Sequence, residues 1–178
     1  MDKKRKPCDC ENCEFREVIF STLDEQNIKK LCDFKEERSF RKGEIINHEG
    51  EKISDFKYLK TGLVKLYRRS TTGEEQVITI TRPFEFVSNL SIFSEDRYRY
   101  SVSALEDSVV CSVRLDFVKE LFRVNGEFAV GLITRISKIN DKIISQTLDI
   151  RQKNLAGRVA YVLLYFMEEI YKSRVFDL

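Results

Sequence analysis

Residues 125–152 read NGEFAVGLITRISKINDKIISQTLDIRQ, with no proline among them. Apolar side chains recur at Phe128, Leu132, Ile136, Ile139, Ile143 and Ile150, in steps of four, four, three, four and seven. That heptad-like spacing places them in one stripe along one helix. The last step passes over Gln146 and Thr147, which leaves a polar gap in the stripe. A second apolar row, Ala129, Ile133, Ile144 and Leu148, runs around the side. A helix of about 28 residues is roughly 42 Å long, too long for a small domain to cover both rows. An uncovered stripe of this kind forgoes on the order of 10 kcal/mol of burial. One row is therefore expected on the chain's own body and the other on a second copy. The row assigned to the homodimer seam is Phe128, Leu132, Ile136, Ile139, Ile143 and Ile150.

Upstream of this helix the period changes to two. Between Lys35 and about Arg114, short β-rich runs such as Val64-Lys65-Leu66-Tyr67, Val77-Ile78-Thr79-Ile80 and Val109-Val110-Cys111-Ser112-Val113 alternate with turn signals. Lys60-Thr61-Gly62 and Thr71-Thr72-Gly73 have the look of hairpin turns. Strands at this spacing, punctuated by glycine, predict an antiparallel sandwich or roll. Residues 15–34 read as one or two short helices against the sheet, with Thr22 or Asp24 as a cap. Asp116 is placed to cap a short helix running to Phe122. Beyond a bend near Gln152, a further amphipathic helix runs to about Tyr171. The predicted organisation is a cysteine-rich tail over 1–14, a β-roll over 15–124, a dimerisation helix over 125–152, and the start of a further region over 153–178.

The 178 residues carry 34% charged side chains and a formal net charge of only +2, so no overall field steers a highly charged partner. Lys3-Lys4-Arg5-Lys6 and Arg68-Arg69 are local basic clusters. No apolar core follows the charged N-terminus, which argues against a signal peptide. The longest apolar run, Val159 to Met167, is far short of a membrane span. A soluble cytoplasmic protein without a membrane partner is expected. In that compartment its five cysteines are reduced, metal-bound or redox-sensing rather than structural disulfides.

With a β-roll, a long helix and then Ala156-Gly157-Arg158-Val159-Ala160, the sequence resembles the Crp/Fnr family of bacterial transcription regulators. Lys42-Gly43-Glu44, Glu49-Gly50, Thr61-Gly62-Leu63-Val64-Lys65, Gly73-Glu74-Glu75-Gln76 and Ala104-Leu105-Glu106-Asp107-Ser108 resemble the family's successive turns and strand pairs, in order. The resemblance implies an α+β, mainly β fold: a cyclic-nucleotide-binding-like antiparallel β-roll, or jelly roll, flanked by short helices. A dimerisation helix and a C-terminal helix follow it. It also implies a winged helix-turn-helix that reads the major groove. That domain is not in this sequence, so DNA is expected only through a helix-turn-helix missing here.

Family members that bind cyclic AMP use a Gly-Glu-Leu turn and a later Arg-Ser/Thr-Ala, which supply a carboxylate to the ribose and a guanidinium to the phosphate. The matching runs here are Ser88-Asn89-Leu90 and Tyr98-Arg99-Tyr100. An amide replaces the carboxylate and Tyr98 the arginine, and Arg99 on a strand faces the other way. Cyclic AMP binding is disfavoured. Phe86, Ser88, Asn89, Leu90, Tyr98, Arg99 and Tyr100 remain the candidate positions for a different small ligand, or for a closed pocket.

The oxygen-sensing branch of the family holds an iron–sulfur cluster on cysteines. Cys10-Glu11-Asn12-Cys13 resembles its C-x2-C pair and Cys111 its distant fourth ligand, whereas Val18-Ile19 stands where a third is expected. Cys8 is the available substitute. Cys8, Cys10, Cys13 and Cys111 could carry an iron–sulfur cluster or zinc, act as redox thiols, or be plain reduced thiols with Cys111 in the core. Cys32 fits the apolar pattern of its helix.

His48 is the chain's one histidine, and no nucleophile elbow or phosphate loop is present, so no enzyme is expected. The leading expectation is the sensing and dimerising part of a DNA-binding transcription regulator, responding to a small effector or a redox signal. The alternative is a stand-alone sensor module acting through protein partners.

Overall fold

Seven strands occupy the period-two stretch in the computed structural model, which describes residues 13, 16, 20–88 and 90–172. They are β1 (Lys35–Phe40), β2 (Ile45–Asn47), β3 (Asp55–Thr61), β4 (Val64–Arg69), β5 (Glu75–Thr81), β6 (Ser101–Ala104) and β7 (Ser108–Arg114). They pair antiparallel in two sheets, ordered β1-β7-β3 and β2-β6-β4-β5. The core between the sheets is aliphatic: Phe40, Ile46, Leu59, Val64, Leu66, Val87, Val102, Ala104 and Val110. Alternation along each strand sends these side chains inward and their neighbours to the opposite face.

Gly62 shows why glycine punctuates the roll. It turns β3 into β4 at φ +88°, and a Cβ there would lie 2.6 Å from the Asp107 carbonyl oxygen. The position demands both the left-handed conformation and the missing side chain.

Before the roll, α1 (Glu25–Asp33) is capped by Asp24, whose carboxylate accepts from Asn27 N–H at 2.8 Å. After it, α2 (Leu115–Val124) buries Leu115, Phe117, Val118 and Leu121. Asp116 does not cap this helix. Arg114 holds the cap position without a side-chain bond, and Asp116 sits in the first turn, where a carboxylate still favours the helix dipole.

The long helix α3 spans Gly126–Arg151. Asn125 starts it by accepting from Phe128 N–H at 2.9 Å, while its amide donates to the Thr22 carbonyl at 3.0 Å. In the polar gap, Thr147 Oγ1 donates back to the Ile143 carbonyl at 2.8 Å, so this hydroxyl is satisfied within its own helix. Then α4 (Leu155–Tyr165) begins at Asn154, which accepts from Gly157 N–H at 2.9 Å. A π-turn over Phe166–Ile170 follows. The chain forms two compact units, residues 1–137 and 138–178.

The helix corrects one expectation. Phe128 and Leu132, expected at the seam between two copies, are buried within their own chain. The Phe128 ring stacks on Phe20 at 6.0 Å and meets Phe122 at 5.7 Å. Ile143 is also buried. Ile136, Ile139 and Ile150 are half-buried. The row left open is the other one: Ile133, Ile144 and Leu148 are 53%, 57% and 52% exposed.

Candidate functional site

The candidate ligand residues fall in two runs, the segment after β5 and the run leading into β6, and Phe86 departs from the rest, meeting the Phe56 ring at 5.0 Å and the Arg135 guanidinium at 5.8 Å. Phe86 and Ser88 are buried, and Leu90 and Tyr100 pack against the aliphatic core. Asn89 lies outside the described residues. Tyr98 is only 3% exposed. Its phenol donates to the Asp55 carbonyl at 3.4 Å, and its backbone is tied to Gly50 and Glu51. Burial, with the Asp55 and Glu51 charges adding, pushes this phenol well above its ordinary range. Arg99 does not join the group: its side chain is 68% exposed and pairs with Glu95 at 3.2 Å. On this run the neighbour of an inward residue points to water.

Two interior polar groups escaped the sequence reading. The Lys57 ammonium stands 5.4 Å from the centre of the Tyr98 ring and donates to Asn47 Oδ1. Burial lowers the Lys57 pKa, against the raising charges of Asp55 and Glu51. Asn47 is fully buried and its amide nitrogen has no partner. The only signal in the sequence was a lysine at the strand position that shares a face with Leu59. The interior therefore presents a buried ammonium shared with Asn47 and, beside it, a buried phenol.

A second constellation lies on the outer face of the β1-β7-β3 sheet. Glu37 and Tyr58 are the direct cross-strand partners of Cys111 on either side, so the three side chains share that face. Lys35, two residues before Glu37, points the same way. Its ammonium donates to Cys13 Sγ at 3.1 Å and lies 5.4 Å from the Tyr58 ring centre. Cys111 is fully buried, with its thiol 3.7 Å from Glu37 Oε1, and Glu37 in turn pairs with Lys60 at 2.7 Å. Burial raises the Tyr58 phenol, the nearby Cys111 adds to this, and Lys35 opposes it. Two of the four candidate cysteines are thus brought to one surface around one phenol. Cys8 and Cys10 lie outside the described residues.

The two described candidates each carry one polar neighbour, Lys35 on Cys13 and Glu37 on Cys111. Among the described residues no group of three or more His, Cys, Asp or Glu side chains could hold a metal ion. A metal cation on Cys13 would also face the Lys35 ammonium at close range, where like charges repel strongly in a partly buried setting. Lys35 itself is only 5% exposed, so little water screens it.

The sequence matches the family described as the cyclic nucleotide-binding domain over residues 37–125, half of the chain. It is similar to the anaerobic regulatory protein of Pasteurella multocida (strain Pm70), 26% identical over 114 residues, which are 63% of this chain and 41% of that protein. The sensor domain of the transcriptional regulator DNR from Pseudomonas aeruginosa matches with a TM-score of 0.64 at 20% identity, covering 74% of this chain and 88% of that one. FixK2 from Bradyrhizobium japonicum matches with a TM-score of 0.66 at 23% identity, over 74% of this chain and 65% of that one. At these identities the structural likeness is one of fold. The chain spans less than half the length of the Pasteurella regulator.

Proposed function

The chain belongs to the cyclic nucleotide-binding domain family, in its Crp/Fnr branch, and we propose that it is the sensing and dimerising part of a DNA-binding transcription regulator. The observation that carries this reading is the open apolar row of α3, Ile133, Ile144 and Leu148, each more than half exposed. Their spacing of eleven and four keeps them on one face of the helix. Together they leave several kcal/mol of burial unrealised in a lone chain. A second copy presenting the same row covers it by two-fold symmetry, and half-buried Ile136, Ile139 and Ile150 border that contact.

The whole regulator works in the cytoplasm, and no helix among the described residues is long and apolar enough to cross a membrane. DNA is engaged through a helix-turn-helix of the kind whole Crp/Fnr regulators carry. A signal received in the roll changes how the two long helices pack and so resets the spacing of the DNA-reading elements. That signal is a small effector other than cyclic AMP, or a redox change. The position of Tyr98 and the amide of Asn89 supply neither the cation nor the carboxylate that a cyclic nucleotide requires. Effector candidates touch Phe86, Ser88, Leu90, Tyr98 and Tyr100.

Sedimentation of an Ile144→Asp variant tests the reading. The variant is expected to run as a monomer with an unchanged far-ultraviolet spectrum. A folded variant that still dimerises as the native chain does would refute it.

A further inference from the structure

Lys35, Tyr58 and Glu37 make the outer face of the β1-β7-β3 sheet more than a resting place for two cysteines. Each thiol has its own polar neighbour: Lys35 Nζ at 3.1 Å for Cys13 and Glu37 Oε1 at 3.7 Å for Cys111. Tyr58 sits between them, directly across the strand pair from Cys111 and beneath the Lys35 ammonium. Cys13 is half-buried, whereas Cys111 is fully covered. One thiol is therefore partly reachable from solvent, and the other is covered, with Tyr58 neighbouring both. A reactive cysteine poised next to a resolving one is the arrangement of a reversible thiol sensor.

We propose that Cys13 and Cys111 form a thiol redox pair, with Lys35 as the residue that positions Cys13 over the sheet. The oxidant is a hydroperoxide. In the first step the Cys13 sulfur attacks one peroxide oxygen; an S–O bond forms, the O–O bond breaks, and water leaves with hydrogen peroxide as oxidant. In the second step the Cys111 sulfur attacks the Cys13 sulfur; the S–S bond forms, the S–O bond breaks, and a second water leaves. Two thiols and one peroxide give one disulfide and two waters. Thiol exchange with a cellular dithiol reverses it. Tyr58, the neighbour of both thiols, meets Phe20 at 6.2 Å and Phe20 meets Phe128 at 6.0 Å, so oxidation is felt where the roll packs on α3. The pair gives the redox signal of the proposed function a chemical identity. It rests on that reading for its consequence in regulation, and the chemistry itself is tested without DNA or dimerisation.

The test is peptide mapping by mass spectrometry of the whole reduced chain after one equivalent of hydrogen peroxide. A Cys13–Cys111 linked peptide is expected, reversed by dithiothreitol. Cys111→Ser should lose the link and leave Cys13 as a sulfenic acid trapped by dimedone, while Cys32→Ser should leave the link unchanged. Lys35→Met should lower the yield of the link by about tenfold, and Lys35→Arg should restore it, which a merely structural role would not predict. Differential alkylation of the native chain provides a reading that needs no variant to fold. If Cys111 stays alkylatable on denaturation after peroxide, or if the links formed join other cysteines, the proposal is overturned. Iron or zinc that purifies with the native chain and is lost from Cys13→Ser would overturn it too.

Discussion

The guanidinium of Arg135 donates to the Phe84 carbonyl at 2.9 Å and stands 5.8 Å from the centre of the Phe86 ring. This ties the early part of α3 to the segment that follows β5. Phe84 is in the left-handed region, at φ +69°, which costs a bulky residue about 1–2 kcal/mol. A charged donor on its carbonyl helps to hold that conformation. Arg135→Met keeps most of the aliphatic stem and removes the donor. It is expected to destabilise the chain by about 1.5–3 kcal/mol, read from the urea midpoint, and to raise hydrogen exchange around Glu85 and Phe86.

Phe128 belongs to the row that packs at home, whereas Leu148 belongs to the row proposed to meet a second copy. Phe128→Ala should destabilise folding by about 3–5 kcal/mol, because it empties the space between Phe20 and Phe122. Leu148→Asp should leave urea unfolding of the isolated chain nearly unchanged. The two variants are compared by chemical denaturation at a concentration low enough to hold both as monomers.

Gly62 and Gly43 have nearly the same φ, +88° and +84°, yet different surroundings. A Cβ at Gly43 meets nothing within 4 Å, whereas one at Gly62 runs into Ser108 and the Asp107 carbonyl. Gly43→Ala is expected to cost about 1 kcal/mol from the backbone alone. Gly62→Ala should cost at least about twice that, since the close approach adds to the strain. Thermal melts of the two variants side by side provide the check.

The interior phenol gives a pH dependence with a definite sign. The folded-state pKa of Tyr98 lies above its ordinary 10.0. Its contribution is therefore fully present below pH 10 and is lost as pH rises from there through the folded value, because only the unfolded chain ionises in that window. Tyr98→Phe should make stability fall less steeply above pH 10. Urea midpoints on either side of that pH measure it. Lys57 acts in the opposite sense: its folded pKa lies below 10.5, so stability rises with pH between the folded value and 10.5.

Much of the roll was legible from residues. Alternation in Val64-Lys65-Leu66-Tyr67 and a glycine at each of the first four turns suffice to announce antiparallel strands, and Pro83 falls between two of them. The long helix was legible too, down to the bend between Arg151 and Leu155. Which of its rows faces inward was not. Both rows are aliphatic at helical spacing, and the choice is made by the rings of Phe20 and Phe122, whose proximity to Phe128 is a tertiary fact. The same limit applies at the sites. Lys35 opens a strand of charged residues and gives no local sign that it reaches a cysteine 22 positions earlier. Lys57 reads as a solvent-facing lysine until β2 places Asn47 beside it.

The most direct test of the account is the molar mass of the native chain in solution, by light scattering on a size-exclusion column. Ile133, Ile144 and Leu148 joined to their copies predict twice the 21.0 kDa of one chain. A mass of one chain, held across a wide range of concentration, would contradict it.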